Sequence, residues 1–120
     1  MAKKKSKKEE KNSLEDKFVV ACKKANLEYI SRLFAAGDGL FLPDFVFKNM
    51  IVDIEECISV KKLENIKRFR KHYPEFKLYL LTNDQSHCLE AAKEFDEVFD
   101  LTSIDLLLKE IRKGLDNKPK

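Results

Sequence analysis

Two oxygen-bearing side chains close two apolar runs. Asp53 ends Asn49-Met50-Ile51-Val52-Asp53, and Thr82 ends Lys77-Leu78-Tyr79-Leu80-Leu81-Thr82. If the runs are parallel strands of an open α/β sheet, their C-terminal tips border the crevice where ligands bind. A carboxylate at such a tip is a nucleophile or a cation ligand, and a nearby hydroxyl can donate to a phosphate formed on it. Two more acids stand close by in the chain, Asp44 after Pro43 and Asp84 just past Thr82. Carboxylates that converge on Mg²⁺ or Mn²⁺ support metal-dependent phosphodiester hydrolysis. Asp84 also suits the cap of a following helix. Glu55 and Glu56 read as solvated loop charges. His72 and His87 lie on separate segments, and His87-Cys88 lacks metal-ligand spacing.

The elements that must position these groups alternate along the chain. Phe18 to Cys22 reads as a first strand of small and β-branched residues. Asn26 is a plausible cap for a helix through Leu27, Ile30, Leu33 and Phe34, stopped by Gly37. Gly39 to Leu42 forms a short strand ended by Pro43, and Asp44 to Lys48 fits either a strand extension or a helical turn. Met50 to Ile54 is a central strand. Ser59 opens a helix with Leu63, Ile66 and Phe69 inward and the lysines and arginines of 61–71 on the wet side. Lys77 to Thr82 is the next strand, and a helix from about Ser86 to Phe95 follows. Glu97 to Leu101 is the last strand, and Ser103 caps a final helix stopped by Gly114. Alternation at this spacing implies βαβ crossovers and a parallel sheet. The expectation is a three-layer, flavodoxin-like parallel sheet of four or five strands, order 2-1-3-4-5, flanked by helices.

Composition sets the bounds. The 120 residues fit one domain, and 43% hydrophobic content is enough for a core that covers a sheet on both faces. The net charge of +3 is uneven: residues 1–12 hold six Lys against two Glu, so the remainder is close to neutral. Residues 1–13 are expected to be a disordered Lys-rich tail, 14–115 the folded unit, and 116–120 a frayed end. The tail offers weak, salt-sensitive attraction to an acidic partner, RNA or an anionic membrane. No run approaches ~18 apolar residues, so no transmembrane helix is expected. Cys22, Cys57 and Cys88 form no CxxC pair, and Met-Ala-Lys-Lys-Lys begins no secretory signal. Reduced thiols in a cytoplasmic protein are expected.

From Asp53 onward the chain resembles a response-regulator receiver domain. Pro43-Asp44-Phe45-Val46 followed by Met50-Ile51-Val52-Asp53-Ile54-Glu55 is similar to a split version of the receiver's third strand. His72-Tyr73-Pro74-Glu75-Phe76-Lys77 through Thr82 resembles its run into strand four, and Asp96 to Gly114 its strand five and helix five. The resemblance implies that Asp53 is the phospho-acceptor and Thr82 the switch residue. It also implies a contact surface that includes Glu90, Lys93, Asp105, Lys109 and Arg112. The family's Mg²⁺-binding acidic pair after strand one is missing, since that segment reads Cys22-Lys23-Lys24-Ala25-Asn26. Its strand-five lysine is missing too, at Leu101-Thr102-Ser103. Lys23 or Lys24 is then expected to stand in the cation's place beside Asp53.

These departures imply a degenerate receiver: a non-catalytic regulatory or protein-interaction module with a protein partner and no cofactor, Mg²⁺ entering only if the Asp53 or Asp84 site is active. Two rivals share the residues. Leu81-Thr82-Asn83 resembles the second motif of HAD-type phosphotransferases, with Glu55 where their acid/base Asp belongs. Leu42-Pro43-Asp44-Phe45-Val46 and Thr82-Asn83-Asp84 resemble segments of a PIN-like domain, which implies a metal-dependent ribonuclease with Asp44, Asp53 and Asp84 as its acids.

Overall fold

A computed structural model describes residues 7–37, 39–55, 58–83 and 89–116, with the side chains of 7–12 and 89–90 excepted. Helix α1 spans Lys7–Lys24. Two short strands follow, β1 (Phe34–Ala36) and β2 (Gly39–Phe41). Next come β3 (Phe45–Phe47), β4 (Met50–Ile54), α2 (Val60–His72) and β5 (Lys77–Thr82). The chain ends in α3 (Leu89–Ala92), β6 (Glu97–Asp100) and α4 (Ile104–Asp116).

The class is α/β, but the main sheet is mixed rather than parallel. Its order is β3-β4-β5-β6, with β3 antiparallel to β4 and the remaining pairs parallel. β1 and β2 pair antiparallel as a separate hairpin. The expected flavodoxin-like first strand is absent from this sheet. Phe18 to Cys22 lies within α1, because Leu14, Phe18 and Cys22 recur every fourth residue and form one fully buried stripe. The run of Phe, Val and Ala looked strand-like only when cut off from Leu14. The stretch expected to be a disordered tail is helical from Lys7 onward, and residues 1–6 lie outside the described residues.

The second expected helix, Leu27 to Phe34, does not form. Asn26 takes a left-handed φ of 56° just after α1 instead of capping a new helix. Ile30 bridges to Val46, and Leu33 faces solvent. Gly37, at φ 63°, makes the turn of the β1–β2 hairpin rather than a helix end. Within Asp44 to Lys48, Phe45–Phe47 forms a strand, and Lys48-Asn49 turn it back into β4 with Lys48 at φ 56°.

Two apolar layers sandwich the sheet. On one face Phe45, Phe47, Met50, Val52, Ile54, Tyr79, Leu81 and Phe99 meet α1 and the Leu107 and Ile111 stripe of α4. On the other, Val46, Ile51, Leu78 and Leu80 meet Ile66 and Phe69 of α2, with Phe34 and Phe41 of the hairpin. Burial of Cys22 pushes its thiol up to about 11, which suits a packing role and a thiol that stays protonated. Among the described residues no helix is long and apolar enough to cross a membrane.

α4 differs from expectation at both ends. Ser103 is not its cap: the Asp100 carboxylate accepts from the Thr102 and Ser103 amides, and Ser103 Oγ accepts from the Asp100 amide, a reciprocal capping box. These bonds hold the Asp100 carboxyl below its usual range, led by the one from the Thr102 hydroxyl. Gly114 lies inside α4, where the Met50 thioether packs against it and leaves no room for a Cβ. Asp100→Ala should cost about 1 kcal/mol in denaturant unfolding, with the midpoint moving and the slope unchanged.

Candidate functional site

The register explains why Asp53 and Thr82 share a rim. β4 and β5 run parallel, with Asp53 opposite Leu80. Side chains alternate along a strand, so Asp53 shares the α2-facing side with Ile51, and Thr82 shares it with Leu80. The two therefore sit on one face of neighbouring strands, one pleat apart, and both are fully buried.

Asp44 reaches the same place by a route that the sequence concealed. Phe45 lies opposite Val52 in the β3–β4 hairpin, so one further step in that register sets Asp44 opposite Asp53. The residues between Pro43-Asp44 and Asp53 are a hairpin, not an insertion in one strand. The two acids are locked reciprocally. The Asp44 amide donates to Asp53 Oδ1 at 3.0 Å, and the Ile54 amide donates to Asp44 Oδ2 at 2.8 Å.

A lysine completes the group. Ser59 caps α2 by accepting from the Lys62 amide at 3.1 Å, which fixes Lys62 in the first turn. Its ammonium lies 3.6 Å from Asp53 Oδ2 and 3.7 Å from Glu55 Oε1, and 5.3 Å from the centre of the Phe41 ring. A cation in the first turn of a helix opposes the macrodipole, so these acids and the ring compensate an unfavourable position. Lys62 belongs to the cluster that sequence reasoning gave to the wet face of α2. The signal that would have found it is its place in the first turn after a strand that ends in two acids. Lys23 and Lys24, expected beside Asp53, are exposed on the last turn of α1, a helix that packs on the opposite face of the sheet. Lys62 takes their expected place.

The electrostatics of Asp53 are unusual. Its Oδ2 has no hydrogen-bond donor, although it is shielded from solvent. Burial is the main cause that pushes the carboxyl up to about 6; Lys62 opposes the shift, while Asp44 and Glu55 add to it. Lys62 compensates that oxygen by charge rather than by a hydrogen bond, so a divalent cation would take the place of the ammonium at Oδ2. Among the described residues no three His, Cys, Asp or Glu side chains form a metal cluster. Asp44 and Asp53 are two hard-oxygen ligands, and Mg²⁺ is commonly held by one or two carboxylates, with waters and substrate phosphate filling the rest.

The other expected site residues lie elsewhere than this rim or outside the described residues. Asp84 lies outside the described residues, as does the side chain of Glu90. Asp105, Lys109 and Arg112 are exposed on α4, and Arg112 donates to the Ala25 carbonyl. Lys93 is exposed just after α3. The structure thus brings Asp53, Thr82 and Asp44 together with Glu55 and Lys62.

No family model, curated protein or solved structure matches the chain.

Proposed function

We propose that the rim of Asp44, Asp53, Glu55 and Lys62 is the site of a divalent-cation-dependent phosphodiester hydrolase that acts on nucleic acid. The observation that carries this reading is a fully buried Asp53 whose Oδ1 accepts from the Asp44 amide and whose Oδ2, without a hydrogen bond, meets the Lys62 ammonium at 3.6 Å. The donor set fits a hard cation. Asp44 and Asp53 would hold Mg²⁺ or Mn²⁺, which when bound supplies Lewis acidity toward a phosphoryl oxygen and a more acidic water.

The rest is done by the chain itself. Lys62 is 23% exposed on its side chain, so it can swing from Asp53 toward solvent, open the way to Oδ2 and present its charge to a substrate phosphate. Glu55 holds Lys62 in reach through the 3.7 Å contact and can accept a proton from water as the phosphorus is attacked. Thr82, on the same face, borders the floor of the site. A receiver-type reading has less support, because the place beside β4 that a parallel first strand would fill is held by antiparallel β3.

One observation favours a second reading. Lys62 already faces both acids, and such a pair can stand as a finished structural element in a non-catalytic interaction module. A cleavage assay separates the two. End-labelled RNA and DNA oligonucleotides, incubated with the full chain, should be cut with Mg²⁺ or Mn²⁺ and spared with EDTA. Lys62→Met should lower the rate about 10² to 10³-fold, with Lys62→Arg partly restoring it. Wild-type chain that leaves every strand intact with either metal supports the interaction module instead.

A further inference from the structure

The side of the molecule away from the rim carries a groove of about 550 Å³ between α1 and α4. Both helices lie in the layer on that side of the sheet, and Arg112 ties α4 to the end of α1 by donating to the Ala25 carbonyl. Ala21 and Ala25 keep the α1 wall shallow, and Leu108 lines the α4 wall. Val20 stands in the same groove and is 51% exposed. Charges of both signs line it too: Asp16, Lys17 and Lys24 from α1, and Asp105 from α4. All four are exposed, and none forms an ion pair among the described residues.

The order of these charges chooses an occupant. Asp16, Val20 and Lys24 recur at every fourth residue of α1, so they form one stripe with the acid and the base equidistant from Val20. Leu14, Phe18 and Cys22 hold the opposite side of the helix in the core. A second α1, laid antiparallel about a two-fold axis at Val20, meets each Asp16 with the other copy's Lys24 and brings the two valines together. A parallel copy in register would oppose acid to acid and base to base. The stripe is thus its own complement in the antiparallel sense, which is what a two-fold contact requires. The alanines let a helix approach closely, and Leu108 offers apolar surface to the incoming Val20.

We infer that the α1–α4 groove is a dimer interface whose occupant is α1 of a second copy of this chain. The two helices run antiparallel and cross at Val20, with two Asp16–Lys24 ion pairs related by the two-fold axis. This goes beyond the hydrolase reading and does not rest on it. Asp53 faces α2, on the other side of the sheet, so the dimer covers neither rim.

Sedimentation velocity of the full chain, from about 1 μM to 1 mM, tests it. A reversible monomer–dimer equilibrium is expected. Asp16→Lys and Lys24→Asp should each weaken dimerisation about tenfold, because each turns both cross-axis pairs into repulsions. Mixed one to one, the two variants should form a heterodimer about as tight as the wild-type dimer, since both pairs are again opposite in sign. Val20→Glu should also weaken the dimer about tenfold. That side chain already meets solvent in the monomer, so the variant should keep its thermal midpoint at low concentration. A wild type that stays monomeric throughout would overturn the inference and leave the groove to a helix of another protein. A dimer that Val20→Glu leaves intact would overturn it too, as would charge variants that fail to recover when mixed. Asp53→Asn should dimerise as the wild type does, so loss of cleavage and loss of the dimer are read separately.

Discussion

Asp53→Asn is expected to abolish metal-dependent cleavage, by at least about 10³-fold or roughly 4 kcal/mol of barrier, while the chain stays folded. The amide keeps the acceptor for the Asp44 amide but loses the charge that a divalent cation needs. The same substitution should change the pH dependence of stability. Burial raises the Asp53 carboxyl from its ordinary 3.8 to about 6, so the folded chain holds that proton more tightly than the unfolded one. Its contribution is therefore full below pH 3.8 and is lost as pH rises through about 6. Across that window the wild-type unfolding free energy should fall by about 3 kcal/mol from this group, and Asp53→Asn should flatten that fall. Urea unfolding at pH 4, 5, 6 and 7 measures it directly. A wild type whose stability rises over the same range, with the variant parallel to it, would show that the carboxylate is better compensated than the geometry implies. Mg²⁺ should raise the wild-type thermal midpoint at pH 7.5 and have little effect at pH 4.5, where Asp53 is protonated.

Phe69→Ala should be the most destabilising core substitution on the α2 side, at about 3–5 kcal/mol. Phe69 is fully buried. Its ring centre lies 5.0 Å from that of Phe34, 4.9 Å from Phe41, 4.9 Å from Tyr73 and 5.6 Å from Phe76. Those rings tie the hairpin to α2, and Tyr73 adds a hydroxyl donor to the Ala35 carbonyl at 2.8 Å. Truncation leaves a cavity under the hairpin as well as under the sheet. The loss should appear as a lower urea midpoint and as faster hydrogen exchange in residues 34–41 than in α4. Equal protection of both segments would mean that the hairpin is held by something other than this aromatic cluster.

The C-terminal half was legible because its signals are local. Ser59, the apolar spacing of α2 and the β-rich Lys77 to Thr82 run each specify their element without long-range help. The first half was misread because its decisive facts are distant. Phe18 to Cys22 is helical because Leu14 extends its stripe against a sheet made later in the chain. Phe34 and Phe41 are strand residues because α2 waits for them across the core, not because of their neighbours in sequence. At the site, strand-end position was enough to single out Asp53 and Thr82, and the Pro43-Asp44 motif singled out Asp44. That Asp44 faces Asp53 required the hairpin register, and the part played by Lys62 required the first turn of α2 to lie over that rim. Both are tertiary facts with no local signature.

Manganese titration followed by NMR tests the central claim most directly. Substoichiometric Mn²⁺ added to ¹⁵N-labelled chain at pH 7.5 should broaden the amides of Asp44, Asp53, Ile54 and Glu55 first, and Asp53→Asn should abolish that broadening. Broadening centred elsewhere, or the same pattern in the variant, would contradict a cation site at this rim.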